Sequence, residues 1–375
     1  MSLSTAASFG EQQRLALIER ARHSVLQARD TTTHPGLAAG IERSWLRCLA
    51  MGHEPDRAVT FNSVSTQATR RALDSSRLLL QAASPVIRSL TRAMLHTRYF
   101  AMLTDASGTV IDVNGPVDRC DPPASAIARV GIDLSEAAVG TTAIGTTLAD
   151  QQSVWLHRGE HFFQDNAVFS CAGAPIWGPN GHCVGMLDLT GVNVVEQPAL
   201  KHLVTQSARS IENALTLAQP HRLLLRLNWP GRVLGDDNDG LVCVDGEGFI
   251  TGMNRPAMEM LGASPAGPTK PHCDSVFAAP CADLFDAALR HRGAFELPLW
   301  SGLRLLALAQ PQADAQTGAR LHRHTAHAVP LRDHETSLIR KAVEDAQGNV
   351  QEAAMALGIS RATVYRRLQA KKSNR

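Results

Sequence analysis

The segment Gly348 to Lys372, GNVQEAAMALGISRATVYRRLQAKK, limits what this chain can fold into more than any other stretch. Asn349 suits a helix N-cap, because its side-chain oxygen accepts the free amide hydrogens of a first turn. Ala353 and Ala354 leave no bulk where a second helix must cross closely. Gly358 stands where the first helix stops and the chain needs positive φ. Ile359 is the buried peg of the turn, and Ser360 caps a second helix. At roughly 100° per residue, Val364 and Leu368 share one face of that helix. Ala362, Thr363, Arg366 and Ala370 lie on the opposite face, and Arg361 is at the leading end. Two helices joined by a short glycine-containing turn make a helix-turn-helix. Such a motif presents the N-terminal residues of its second helix to base edges in the major groove of double-stranded DNA.

Charge points the same way. The 375 residues carry a formal net charge of +2, yet Ser360 to Arg375 holds six cations (Arg361, Arg366, Arg367, Lys371, Lys372, Arg375) and no anion. A hydrophobic fraction of 44% and a charged fraction of 19% describe a globular chain, long enough for two or three domains with their own cores. No run of about 18 uncharged apolar residues occurs, so neither a transmembrane helix nor a membrane partner is expected. The opening MSLSTAASFGEQQRLALIER lacks the basic and apolar regions of a signal peptide, and a cytoplasmic location is the expectation. The seven cysteines (Cys48, Cys120, Cys171, Cys183, Cys243, Cys273, Cys281) form no C-x-x-C pair and read as reduced, many of them as small buried hydrophobes.

Along the chain, residues 8 to 98 read mainly as helix. The pattern gives Phe9 to Gln27, then Gly40 to Gly52, then a long helix from Ser65 to Tyr99 kinked near Pro85. Strands follow. YFAMLTDASGTVIDVNG (Tyr99 to Gly115) and LVCVDGEGFITGMN (Leu241 to Asn254) are two apolar hairpins around Asp-x-x-Gly turns. They align at Asp105 with Asp245, Gly108 with Gly248, Val110 with Ile250 and Asn114 with Asn254. Two sensory-type α/β domains that begin alike would look this way. The first continues with a helix from Ser135 to Asp150, the strands SVWLHR, AVFSCAGAPIW and HCVGMLDLTG, and a closing helix from Pro198 to Ala218. Leu200, Leu203, Val204, Ile211 and Leu215 line one side of that helix, facing either its own sheet or a partner helix. The second domain, Trp229 to Pro311, reads as the hairpin, a helix from Arg255 to Leu261, a Pro-rich loop and two late strands, AFELPLW and LRLLALA. Residues 312 to 330 lack a hydrophobic period and read as a linker, with His322, His324 and His327 as solvated side chains.

GNVQEAAMALGISRATVYRRL closely resembles the Fis-type helix-turn-helix that closes many bacterial enhancer-binding regulators. In that family the positions matching Ser360, Arg361, Thr363 and Arg366 face DNA; with Asn349 and Arg367 these make the expected DNA-binding set. Asp133 to Gly191 resembles the GAF domain of bacterial acetoin/glycerol-metabolism regulators. The matching words are Glu136, Gly140-Thr141, Gly159-Glu160-His161-Phe162, Ser170-Cys171, Pro175-Ile176 and Gly185-Met186-Leu187-Asp188. SWLRC, Ser44 to Cys48, resembles that family's N-terminal segment, and the second domain resembles a degenerate PAS domain. Thr142 stands where the family usually has Asn. The resemblance implies a small-molecule sensor, with Glu160, His161 and Cys171 nearest the effector. Such regulators commonly carry a central ATPase that remodels RNA polymerase bearing sigma-54. Its G-x-x-x-x-G-K-[ST] loop is absent from this sequence. No ATP hydrolysis, and no opening of sigma-54 promoters by this chain alone, is therefore expected.

One rival string is HRGEH, His157 to His161, which matches H-x-x-E-H, the inverted zinc-protease motif. That chemistry needs both histidines on one helix face, with the glutamate as base. Gly159 interrupts it and SVWLH before it reads as a strand, so no metal site, cofactor or enzyme activity is expected. An architectural Fis-like DNA-binder is the other alternative, and a sensor filling much of the chain argues against it. The expected fold class is multidomain α+β: a helical region 1–98, a GAF-like sensor 99–218, a PAS-like domain 229–311, a linker 312–330 and an all-α helix-turn-helix 331–375. The expected function is that of a one-component transcriptional regulator, a homodimer that senses a small-molecule effector, binds an operator and acts on RNA polymerase.

Overall fold

The computed structural model describes residues 9–27, 37–263, 270–291 and 293–312, with residues 343, 349–351, 354 and 361 further on. Everything through Gln312 belongs to one compact unit; residues 313–375 form another.

Helices come first: α1 (Phe9–Arg22), which widens into a π-turn over His23–Gln27, then α2 (Ala39–Ala50), α3 (Thr66–Ser75) and α4 (Arg77–Ala93). The stretch expected as one helix from Ser65 to Tyr99 is two. Ser65 caps α3, accepting from Ala68 N at 3.2 Å. The break falls at Ser76 rather than at Pro85, which sits inside α4. Ser75 Oγ bonds back to Ala72 O at 3.1 Å, the local competition by which serine loosens a helical turn.

The first sheet contains β1 (Tyr99–Asp105), β2 (Val110–Asn114), β3 (Val154–His157), β4 (Phe169–Trp177) and β5 (Cys183–Val192), in the order β2-β1-β5-β4-β3, all antiparallel. Between β2 and β3 run α5 (Pro122–Ile127), α6 (Glu136–Val139) and α7 (Ala143–Asp150). The single helix expected over Ser135 to Asp150 is broken at Gly140, where φ is +68° and a Cβ would lie 2.8 Å from the Phe163 ring. Only glycine takes that conformation in that space.

Strand alternation gives this sheet two buried faces. Tyr99, Ala101, Leu103, Leu187 and Leu189 pack outward against α4 and α8 (Leu200–Leu217). Leu200, Val204, Ile211 and Leu215 are buried in that layer while Leu203 is exposed, so the apolar face of α8 packs on its own sheet. The inner face carries Phe100, Met102, Leu156, Phe169, Cys171 and Met186. It shares one core with Val25, Ile41, Trp45 and Cys48 of the N-terminal helices. The end of α1, the π-turn and α2 thus form a lid on the inner core, while α3 and α4 belong to the outer one.

The second sheet contains β6 (Leu223–Asn228), β7 (Gly240–Val244), β8 (Ile250–Met253), β9 (Phe295–Pro298) and β10 (Arg304–Pro311), in the order β8-β7-β6-β10-β9. Its helices are α9 (Arg255–Leu261), α10 (Cys273–Val276) and α11 (Cys281–Leu289). Central strand β6 precedes Trp229, the start expected for this domain. Helices α10 and α11 occupy part of what reads as loop. The core is apolar: Leu223, Leu225, Leu227, Val242, Phe277, Leu305 and Ala307. The sheets meet where Met253 N donates to Pro179 O at 2.9 Å and Asn254 Nδ2 donates to Asn213 Oδ1 at 2.8 Å.

Candidate functional site

In β4 and β5, Cys171 pairs with Thr190 and Gly173 with Asp188. A period of two sends Leu187 and Leu189 to the outer core and turns Asp188 and Thr190 inward. There they line a cavity of about 20 Å³, room for roughly one water molecule. Its apolar walls are Phe61, Met102, Ile127, Leu134, Ile144 and Phe169; its polar points are His161, Asn166, Cys171, Asp188 and Thr190. Thr142 also lines it and caps α7, accepting from Gly145 N at 3.1 Å. That capping role is open to Asn as well.

The polar points are mostly committed to one another. Thr190 Oγ1 donates to Asp188 Oδ2 at 2.5 Å and lies 3.2 Å from Cys171 Sγ. His161 Nδ1 donates to Arg158 O at 2.8 Å, which leaves Nε2 as an acceptor 3.8 Å from Cys171 Sγ. Burial pushes His161 down to about 4, so the ring is neutral at pH 7. Burial also holds the Cys171 thiol well above the usual range, which leaves it protonated and unreactive. Asp188 is pushed up to about 7, again by burial, against the hydrogen bond from Thr190. Two buried oxygens on lining residues have no hydrogen-bond partner, Asp188 Oδ1 and Asn166 Oδ1. Asn166 Nδ2 is occupied, donating to Val139 O at 3.1 Å.

The loop carrying His161 is held from outside the sheet. Arg22, itself buried, donates to Gly159 O at 2.9 Å, to His161 O, and to Phe162 O at 3.0 Å. Its guanidinium lies 5.7 Å from the Trp45 ring. Trp45 Nε1 donates to Glu160 O at 2.8 Å. The Glu160 side chain ties α1 to the loop, accepting from Arg14 at 2.9 Å and from His157 N at 2.7 Å. Burial raises Glu160 to about 7 even beside Arg14. The SWLRC segment is fastened as well. Arg47 grips Glu136 through two bonds, 2.6 and 2.9 Å, and Asp150 at 2.8 Å, while Ser44 bridges Glu136 and Thr141, lying 2.8 Å from the latter.

Of the three residues expected at the effector, His161 and Cys171 line the cavity and Glu160 does not: its carboxylate is spent on Arg14 and on the backbone. Asp188, Thr190 and Asn166 were not singled out. Asp188 stands in a matched motif word, and its carboxylate between two core leucines is the signal that would have marked it. The HRGEH string does not assemble as a zinc motif. His157 ends β3 with Nδ1 2.7 Å from Ser170 Oγ, and Arg158–Glu160 is a single 3-10 turn. Of the DNA-binding set, Asn349 Oδ1 accepts from Gln351 N at 3.1 Å, as an N-cap does, and exposed Arg361 donates to Gln351 Oε1 at 3.4 Å. Ser360, Thr363, Arg366 and Arg367, the turn residues Gly358 and Ile359, and the linker histidines lie outside the described residues.

Comparison with known proteins joins these two ends. Residues 16–213 match the model for the MimR N-terminal domain, and residues 330–370 match the bacterial regulatory protein, Fis family. An acetoin catabolism regulatory protein of Cupriavidus necator is 27% identical over 280 residues, 72% of this chain and 41% of that protein. A signal-transduction and transcriptional-control protein of Clostridium beijerinckii is 25% identical over 222 residues, 59% of this chain and 35% of that protein. The matches thus span about two fifths or less of these relatives' own length. Among solved structures, the E. coli DhaR(N)–DhaL complex is similar with a TM-score of 0.45 and 14% identity, over 73% of this chain and 100% of that one. One model covers more than half of the sequence, from within α1 into α8, and the chain belongs to the MimR N-terminal domain family, with a Fis-family helix-turn-helix near its C-terminus.

Proposed function

We propose that this protein is a ligand-responsive transcriptional regulator. The first, GAF-like lobe holds the effector in the cavity between β4, β5 and the His161 loop. The second, PAS-like lobe relays the state or dimerises. The Fis-type segment binds operator DNA. A homodimer is the working form, because one short recognition helix reads too few base pairs for useful specificity. The protein acts on RNA polymerase in the cytoplasm. The observation that carries this reading is a small, mostly apolar cavity lined by residues with unsatisfied acceptors, in the same chain as a Fis-family segment. Similar proteins are named for acetoin catabolism and for a propane 2-monooxygenase operon, which fits an effector of a few heavy atoms.

Such an effector works only if it binds one of two states more tightly. The small cavity supplies that difference, since filling it moves the His161 loop against Arg22, Trp45 and Glu160. With no phosphate-binding loop of the G-x-x-x-x-G-K-[ST] kind in the sequence, regulation proceeds without ATP hydrolysis by this chain. The test is footprinting of the full chain on genomic operator fragments, with and without effector. Arg361→Ala and Arg366→Ala are each expected to weaken operator binding by about 1–3 kcal/mol at matched salt. Footprints identical to the parent's would overturn the assigned face of the recognition helix.

A further inference from the structure

A cleft apart from the His161 cavity opens between the two lobes. Its floor is one face of α8: Thr205, Ala208, Arg209 and Glu212 follow the i, i+3, i+4, i+7 spacing that lines side chains in a row. Trp177, at the end of β4, stands on one side, and Arg255 and Glu259, one turn apart on α9, on the other. The cleft has a volume of about 250 Å³, against about 20 Å³ for the inner cavity. Two cations face it, and neither is well neutralised. Arg209 is half-buried and makes no hydrogen bond or ion pair among the described residues. Arg255 lies over the Trp177 ring, 4.6 Å from its centroid, and spends only Nε on Glu259, at 2.9 Å. Glu259 is largely exposed, so that pair is worth little. Trp177 Nε1, buried in the same wall, is a further donor without a partner. Glu212 is the acid beneath them. One of its oxygens accepts from Trp177 N at 3.0 Å, and the other takes no hydrogen bond among the described residues. Arg209 on its own helix and Arg255 and Glu259 on α9 act on it, but burial outweighs them and raises it to about 7. Two guanidiniums against one exposed carboxylate and one half-ionised acid leave the cleft positive near neutral pH. That balance suits a monoanion; it repels an amine, and a dianion would meet the two glutamates.

We propose that this cleft is a second binding site, for a small organic monocarboxylate whose oxygens are shared between Arg209 of the first lobe and Arg255 of the second. The planar guanidinium fork matches carboxylate geometry. The hydrocarbon part of the ligand lies against Ala208 and Pro175, which line the same space. Arg209 is one turn before Asn213 and Arg255 directly follows Asn254, and those two asparagines are already hydrogen-bonded across the seam. A carboxylate held by both arginines therefore ties α8 to α9 and stiffens the junction of the lobes.

The test is calorimetry on the full chain at fixed ionic strength, with butyrate, benzoate, inorganic phosphate and butylamine as probes. Butyrate or benzoate is expected to bind, with phosphate and butylamine weaker by about tenfold or more. Arg209→Ala and Arg255→Ala are each expected to weaken the carboxylate by about tenfold, the loss of one charge-assisted hydrogen bond, and Arg255→Lys to recover only part of it. From about pH 8 to about pH 6 the probe stays ionised while Glu212 gains its proton, so affinity is expected to rise by roughly fivefold, and Glu212→Gln to remove that rise. Hydrogen exchange on the parent needs no variant to fold: the carboxylate is expected to protect residues 205–213 and 255–261 and to leave 157–166 unchanged. Preferential binding of phosphate or butylamine would overturn the ligand class. Carboxylate binding untouched by both alanine substitutions, or protection confined to residues 157–166, would overturn the site. Failure of every probe to bind the parent would overturn the proposal and leave the reading of the inner cavity as it was.

Discussion

The two sheets share a spatial order but not the chain route that builds it. In the first, β2-β1-β5-β4-β3, the central strand β5 arrives last; in the second, β8-β7-β6-β10-β9, the central strand β6 arrives before its hairpin. The hairpins themselves correspond residue for residue. Leu103 pairs with Asp112 and then Thr104 with Val110, across a bulge. Cys243 pairs with Gly252 and then Val244 with Ile250, across a bulge at the same step. Gly108 has φ +91° and Gly248 φ +90°. The interiors diverge. The first sheet turns Asp188 and Thr190 inward and His157 and Ser170 to its other face, all buried; the second turns in Leu225, Val242, Leu305 and Ala307. One backbone plan thus accommodates two interiors: a cavity with polar points in the first lobe and an apolar core in the second. The permutation leaves the spatial order intact because antiparallel order depends on which strands lie side by side, not on which comes first.

The largest expected effect tests whether the first lobe depends on a lid that the second lacks. Arg22→Ala strands the carbonyls of Gly159, His161 and Phe162 inside the protein. Each buried unsatisfied acceptor costs about 1–3 kcal/mol, so a loss of roughly 3–5 kcal/mol in urea denaturation is expected. Hydrogen exchange is expected to rise in residues 157–166 and to stay at the parent's level in β6 and β10. Equal loosening of both sheets would mean that the lobes unfold as one unit.

A middle-sized effect comes from protons. Asp188, Glu160 and Glu212 are each raised to about 7 by burial, and all three pack in or against the first sheet. Between about pH 4 and pH 7 the folded protein holds protons that the unfolded chain releases, so stability falls as pH rises through that window and levels off above it. His161, lowered to about 4, works in the opposite sense below about pH 6.5 and offsets one group's share. The net expectation is a lower melting temperature at about pH 8 than at about pH 5.5, with each acid contributing about 1–3 kcal/mol after relaxation. Asp188→Asn is expected to flatten the slope; an unchanged slope would remove Asp188 from the account.

Much of this was legible in the sequence, for a physical reason. Turns and caps are local: Asp105, Gly108, Asp245 and Gly248 mark their hairpins, and Asn254 and Gly262 bracket α9, with the N-cap bond from Ala257 N to Asn254 Oδ1 at 3.0 Å. What escaped is non-local. LLLRLN has no turn joining it to a neighbour in sequence; its partners β7 and β10 lie beyond a polar loop and about eighty residues downstream, so nothing beside it reveals a central strand. Half of the cavity was hidden for the same reason. His161 and Cys171 stand in conspicuous words, while the loss of Glu160 to Arg14 depends on a helix more than a hundred residues earlier. The empty valence of Asp188 appears only once Thr190 has taken its other oxygen.

The smallest effect is the finest probe of the likeness between the hairpins. Asp105 Oδ1 accepts from Ser107 N at 2.9 Å and Thr109 N at 3.0 Å; Asp245 Oδ1 accepts from Glu247 N at 3.0 Å and Phe249 N at 2.9 Å. Each aspartate closes its turn through the same two amides, so Asp105→Ala and Asp245→Ala are each expected to cost about 1 kcal/mol. They share no hydrogen-bond partner, so the double variant is expected to be additive within about 0.5 kcal/mol. One difference predicts an inequality: Ser107 Oγ also donates to Asp105 at 2.7 Å, whereas the matching position holds Glu247, which as a carboxylate only accepts. Asp105→Ala is therefore expected to cost slightly more, and Ser107→Ala in the parent is expected to remove the excess. If Asp245→Ala were instead the costlier change, the side chains around the second turn, among them His272 and Cys281, would be supporting the hairpin in a way the first turn does not share.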